Sequence, residues 1–414
     1  MSQIELLAPV GSFESLAAAI QGGADAVYFG VGNLNMRSRS SANFTLNDLG
    51  EIASICHKNN IKSYLTLNTI IYDEEIPEVN NILEAVKKNG VDGIIASDFS
   101  VIERAFNAGI PVHISTQCNI TNFEAVKFFS KYADVMVTAR ELHLHQVAAI
   151  VGQIEKEQVK GPSGELVKIE VFAHGALCMA VSGKCYLSLH DNNHSANRGA
   201  CFQLCRRSYI VKDKESGTEL EIDNEYIMSP KDLCTIGFLD KILKAGVQVL
   251  KIEGRGRSAD YVKTVTACYK EAINSYSNGT YTREKIELWR NKLKTVYNRG
   301  FWDGYYLGQT LGEWNNVYGS QAVKEKIYIG KINNYYSKIK VAEVKVEAME
   351  LSVGDEINII GSTTGVYEGS VSEIRIDDQI TDISAKGIVC SIPVQSEVHR
   401  GDKLYILKDK AELG

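Results

Sequence analysis

Two hydrophobic rhythms alternate along the first 250 residues. Short apolar runs at 4–8, 26–31, 61–67, 91–96, 112–116, 134–138, 169–173 and 247–252 read as strands buried on both faces. Between them, stretches such as 13–21, 46–59, 75–89 and 123–131 repeat apolar residues at the spacing of an amphipathic helix. Gly22-Gly23, Gly90, Gly109 and Gly246 fall at the helix-to-strand junctions, where glycine commonly stops a helix. Eight such units predict an α/β architecture, a (β/α)8 TIM-like barrel closed on itself. An open nucleotide-binding sheet would carry a glycine loop after its first strand, and here Ala8-Pro9-Val10-Gly11 follows instead.

The rhythm breaks between the seventh and eighth strands, where a long cysteine-rich insertion, about 175–235, takes the place of one helix. Active sites of such barrels lie at the C-terminal ends of the strands, so an insertion after strand seven is expected to cover that mouth. Helices are expected at 259–277 and 283–297. Beyond about residue 327 the pattern changes to short alternating strands at 327–332, 339–346, 356–360, 365–376, 387–392 and 403–407, parted by turns such as Gly354-Asp355 and Gly401-Asp402. This predicts a barrel domain over 1–320 and a small C-terminal antiparallel β-barrel over 325–414. The turn phrases in the latter resemble the second domain of translation elongation factors.

Charge changes the picture locally. The chain carries a formal net charge of -6. Eleven Lys or Arg against five acids between Lys251 and Arg299 make that segment +6, and Lys184 to Lys214 holds six against two. Such patches suit an anionic partner, although a solvated helix face has the same composition. No apolar run reaches the ~18 to 20 residues of a membrane span and no secretory signal opens the sequence, so the cytoplasm is the expected compartment.

In a reducing compartment nine cysteines do not make a disulfide framework. Four of them, Cys178, Cys185, Cys201 and Cys205, fall within 28 residues that also hold Gly183 and Gly199. The spacing is not the paired knuckle of a zinc finger and favours an iron–sulfur cluster, with structural zinc and unrelated buried thiols left as alternatives. Cys234 is a spare candidate ligand. Cys56, Cys118, Cys268 and Cys390 sit in expected helices or strands, where cysteine is usually a small buried apolar residue.

The run EVFAHGALCMAVSGKCYLS over 170–188 resembles the signature of the collagenase-like "U thirty-two" peptidase family. Supporting phrases are LAPVG from Leu7, GADAVY from Gly23, NFT from Asn43, KIEGR from Lys251, NRGF from Asn298 and GYYLG from Gly304, so the likeness spans residues 4 to about 308. Members of similar length with a C-terminal β-barrel resemble tRNA-hydroxylating proteins that make 5-hydroxyuridine at the wobble position. The resemblance implies a [4Fe-4S] cluster on the four cysteines, prephenate as co-substrate and tRNA as partner, rRNA being the acceptor of related members.

The expected strand ends supply the remaining candidates. Asn68, Gln117, His174 and Glu253 are candidate catalytic groups, and Asp98 reads as a helix N-cap. A dicarboxylate requires forked cationic donors, for which Arg37, Arg39, Arg140, Arg255 and Arg257 are available. Arg290, Lys292 and Lys294 lie opposite the apolar stripe of the 283–297 helix and are candidate RNA contacts, with Arg299 expected on the same face. Proteolysis has little support: there is no H-E-x-x-H, no G-x-S-x-G, and His190-Asp-Asn-Asn-His194 reads as a polar loop. A non-catalytic RNA-binding iron–sulfur protein is the further alternative.

Overall fold

The computed structural model describes residues 4–38, 43–210, 212, 214–216, 228–309, 312–315, 317 and 319–413. Six strand–helix steps and a seventh strand run in order: β1 (Glu5–Pro9), α1 (Phe13–Gln21), β2 (Ala26–Gly30), α2 (Leu49–Lys58), β3 (Lys62–Leu67), α3 (Ile76–Asn89), β4 (Gly93–Ala96), α4 (Phe99–Asn107), β5 (Val112–Ile114), α5 (Phe123–Phe129), β6 (Val135–Val137), α6 (Leu144–Glu157) and β7 (Lys168–Gly175). The insertion follows, with the short helix α7 (Leu187–Asn192) and strand β8 (Asp232–Cys234). Then come α8 (Leu239–Lys244), β9 (Val249–Ile252), α9 (Ala259–Ser277), α10 (Arg283–Thr295) and β10 (Phe301–Trp302).

The eight expected strands are β1 to β7 and β9. All pair in parallel with their neighbours, and β9 closes the ring by pairing with both β1 and β7. Alternate residues then face opposite ways. Leu6, Ala8, Val27 and Phe29 join the helices in the outer core, while Leu7, Ala26, Tyr28, Tyr64, Ile95, Val135 and Val249 form a separate inner cluster. The sequence pattern did not signal β8, which pairs antiparallel with the end of β7, His174 against Cys234, and carries β10 on its other edge.

The C-terminal residues form β11 (Lys324–Tyr336), β12 (Val341–Val346), β13 (Leu351–Ser352), β14 (Glu356–Gly361), β15 (Gly365–Ser370), β16 (Ile374–Ile376), β17 (Gln379–Thr381), β18 (Ile383–Ser384), β19 (Val389–Pro393) and β20 (Lys403–Asp409). Eight of them make one antiparallel sheet around its own apolar core, including Ile329, Val344, Ile359, Ile392 and Leu404. The strand expected over 365–376 divides in two. β15 stays on β14, whereas β16 pairs with β17 and β19.

This domain packs on the flank of the barrel. The Gln21 side chain donates to the Thr364 carbonyl at 2.8 Å and accepts from the Val366 N–H at 2.9 Å, and Lys263 reaches the Val366 carbonyl and Glu368. Among the described residues no helix is long and apolar enough to cross a membrane.

A candidate functional site at the barrel mouth

The loops leaving β2, β3, β5, β6, β7 and β9 enclose a cavity of about 680 Å³. Arg37, Asn68, Gln117, Arg140, Glu253, Arg255 and Arg257 line it, and so do all four cysteines of the insertion. Residues separated by more than 200 positions therefore share one space. Two glycines permit the approach. At Gly30 a Cβ would collide with an Arg255 guanidinium nitrogen, and at Gly175, with φ +109, it would lie 2.5 Å from the Glu253 carbonyl oxygen.

Eight Lys or Arg side chains line the cavity, and among the described residues Glu253 is the lone carboxylate on its wall. Subtracting Glu253, together with Glu170 and Asp232, which pair with the lining Lys251 and Arg299 from behind, leaves five formal positive charges. Arg37 donates to Glu253 Oε1 at 2.8 Å. Burial alone would raise the Glu253 carboxyl, but Arg37, Arg140 and Arg257 outweigh it and hold the group down at about 2. Glu253 is thus an anion that orders the arginines around it.

The buried Arg255 donates to Asn35 Oδ1 at 3.0 Å and Thr66 Oγ1 at 2.8 Å, and burial draws its guanidinium down to about 10. Arg257 stacks on Tyr297 at 3.6 Å. Arg140 stacks on Phe172 at 3.8 Å and donates to the Ala176 carbonyl, and its buried Nε has no hydrogen-bond partner. A buried, unpaired N–H is costly unless a ligand satisfies it, so Arg140 is the guanidinium most open to an anion. Asn68 hydrogen-bonds Ser115, which also bonds Gln117.

The cysteine segment is tied down at both ends. Arg198 forks onto Glu75 with two bonds of 2.6 Å, donates to the Ile70 carbonyl at 2.9 Å and stacks on Tyr72. Arg206 donates to the carbonyls of Leu177 and Pro230. Burial pushes the Cys205 thiol up, Arg206 offsets part of this, and Cys178, Cys201 and Cys185 push it further up. All four thiols line the one cavity. Among the described residues no three His, Cys, Asp or Glu side chains converge as they would on a single ion. The donor set is nevertheless all thiol, the chemistry iron–sulfur clusters require.

Several expected residues lie elsewhere. His174 does not line the cavity; it is buried against Tyr269, Tyr261 and Phe301, and burial lowers its imidazole to about 3, which removes it as a proton carrier near neutrality. Cys234 is likewise buried outside the wall, its thiol pushed up to about 11 by burial. Arg39 lies outside the described residues. Arg290, Lys292 and Lys294 are on α10, away from the cavity, with Glu287 3.7 Å from Arg290 and Glu271 3.8 Å from Lys292. Arg299, expected on that exposed face, is buried on Asp232 and lines the cavity, because the helix ends at Thr295 and the chain turns inward. His190 belongs to α7 rather than a loop and lines the cavity, and Asp98 caps α4 through Ser100 N as expected.

Sequence reasoning missed Lys251, Tyr28, Thr66 and Arg206 as lining residues. Period two along β9 carried a signal for the first, since Val249 faces the barrel interior and Lys251 must then do the same. Its Nζ meets Glu170 Oε1 at 2.7 Å, and His113 Nδ1 lies 3.5 Å from the other carboxylate oxygen. Burial would raise Glu170, but Lys251 and His113 hold it below the usual carboxylate range.

The model of peptidase family U32 matches residues 11–316. A protein named collagenase from Porphyromonas gingivalis is 56% identical over 412 residues, 100% of both chains. The tRNA hydroxylation protein P1 of Bacillus subtilis is 31% identical over 90% of this chain and 87% of its own. The 23S rRNA 5-hydroxycytidine synthase of Escherichia coli is 36% identical over 66% of this chain and 40% of its own.

Proposed function

We propose, from the premise that this chain belongs to peptidase family U32, that its barrel mouth hydroxylates a pyrimidine base of RNA rather than cleaving peptide bonds. The observation that carries the reading is the meeting of four thiols and a strongly cationic wall in one cavity. In this reading Cys178, Cys185, Cys201 and Cys205 hold a [4Fe-4S] cluster, whose chemistry when bound is electron transfer and Lewis acidity. Arg140, with Arg255 and Arg257, binds a small carboxylate co-substrate, for which prephenate is the proposal. Arg37 and Glu253 order these groups, and Asn68 and Gln117 supply neutral donors and acceptors for a base edge. The finer assignment is uridine at the tRNA wobble position converted to 5-hydroxyuridine in the cytoplasm, with Arg290, Lys292 and Lys294 following the RNA backbone.

A peptidase reading is favoured by the name of the 56% relative. It needs a nucleophile with a base and an orienting partner. His190, the histidine on the cavity wall, has no hydrogen-bonded carboxylate among the described residues, and the buried His174 is held neutral.

Nucleoside mass spectrometry of total tRNA and rRNA, from cells with the gene, without it, and with Arg140→Ala, tests the proposal. Loss of one hydroxylated pyrimidine in the last two strains is expected. Unchanged nucleosides, together with digestion of denatured collagen by purified protein, would replace it with the peptidase.

A further inference from the structure

We infer that the exposed lip formed by Met179, Val181, Lys184 and Tyr186 is a platform for unpaired RNA, with the base beside the one entering the cavity stacked on the Tyr186 ring. Tyr186 is 73% exposed and Met179 and Val181 47% each, yet all three also line the cavity. Among the described residues the Tyr186 side chain makes no ring contact and no hydrogen bond, and the exposed Lys184 makes no ion pair. Single exposed apolar residues are ordinary, but three at the entrance of one cavity, with an unpaired cation among them, mark a surface made for a partner.

The lip is held in place before any partner arrives. The Lys184 N–H donates to the Val181 carbonyl at 3.0 Å and closes a turn, and the His190 N–H donates to the Tyr186 carbonyl at 2.8 Å in the first turn of α7. At Gly183, with φ +76, a Cβ would come within 2.8 Å of Gln117 Cγ, so the turn rests directly on the cavity wall. Arg198 fastens the same segment to Glu75 farther along. Stacking on a ring so supported orders little that is not already ordered.

What the lip offers matches one class of polymer, and the match deepens the RNA reading of the cavity and rests on it. A cavity of about 680 Å³ has the size of a single small-ligand site, so when one base enters, the nucleotides on either side must cross the lip. There they meet a flat ring for a base face and, two residues before it, an ammonium for a phosphate, above a wall that carries five formal positive charges. A base in a duplex stays stacked on its neighbours and shows the ring no face, so the strand must be unpaired. An acidic peptide meets the charges too, but it brings no repeated planar group to the ring.

The test uses full-length protein purified without oxygen, a fluorescein-labelled RNA hairpin with an unpaired loop, and a blunt RNA duplex of equal length. The hairpin is expected to bind more tightly than the duplex. Tyr186→Ala should weaken hairpin binding by roughly tenfold or more without changing its salt dependence, because a stacked ring displaces no counterion, and Tyr186→Phe should keep the parent affinity. Lys184→Ala should lower the salt slope by about 0.7, the share of one single-strand phosphate. Because Tyr186 adjoins Cys185, a second measurement uses the unaltered protein: a hairpin with 5-iodouridine in its loop, irradiated and mapped by peptide mass, should crosslink at Tyr186 or Met179. Equal affinity for hairpin and duplex, unchanged binding in Tyr186→Ala, an equal loss in Tyr186→Phe, or crosslinks confined to α10 and the C-terminal domain would overturn the platform. Failure of the parent to bind either RNA would overturn it in favour of a peptide partner. A gene-dependent hydroxylated nucleoside alongside any of these sinks the platform alone; nucleosides unchanged by deletion sink the hydroxylation reading, whatever the hairpin shows.

Discussion

Replacing Arg198 with alanine should loosen the cysteine segment while leaving the barrel folded. The side chain makes two 2.6 Å bonds to Glu75, one to the Ile70 carbonyl and a 3.9 Å stack on Tyr72. Arg198 and Glu75 are 25% and 16% exposed, so the pair is only partly screened. Charge-assisted bonds in such settings contribute roughly 1.5 to 3 kcal/mol and the stack about 1, which after screening suggests a loss of about 3 kcal/mol, or roughly a hundredfold in the opening equilibrium. None of this rests on the barrel core, so the cost should be local. Hydrogen exchange read by mass spectrometry should show faster exchange over 187–206, and Cys201 and Cys205, only three and seven residues on, should lose metal affinity. Glu75→Ala should behave alike, and the double variant should be little worse than either single one. Unchanged protection over 187–206 in Arg198→Ala, or exchange spread evenly through the barrel helices, would refute the clamp.

Three further outcomes are expected. Glu253 is held at about 2 against a usual 4.5, so its contribution is present above about pH 4.5 and lost as pH falls toward 2; Glu253→Gln should lack up to about 3 kcal/mol of that pH-dependent stability, and parallel denaturant midpoints between pH 2 and 5 would count against it. Anaerobically purified protein should be brown, with the colour lost on Ala replacement of Cys178, Cys185, Cys201 or Cys205 and retained in Cys234→Ala; a colourless protein holding one zinc would overturn the cluster. Charge reversal of Arg290, Lys292 and Lys294 should weaken tRNA binding and flatten its salt dependence by roughly one to two units of slope, fewer than three contacts because Glu287 and Glu271 already face two of the cations; identical binding at all salt concentrations would move the RNA contact elsewhere.

Much of the architecture was legible in the chain because strand and helix periods are local. All eight wall strands, the insertion and the C-terminal β-region announce themselves through periods of two and 3.6 and through turn residues. The thiols stand together within 28 residues, and strand-end polar groups such as Asn68, Gln117 and Arg140 lie where barrel chemistry collects. What only the tertiary structure decided depends on pairs far apart in sequence. Closure of β9 onto β7 and β1 turns Lys251 inward and joins it to Glu170, 81 positions away. The pairing of β8 with the end of β7 puts Cys234 beside His174, in a buried layer that neither leaves to reach the cavity. Arg299 looks like one more charge of a solvated helix until the chain turns in after Thr295 and gives it Asp232. A residue's type and its local period tell what it can do; which space it shares is set by ring closure, a cooperative property of all eight strands that no local window contains.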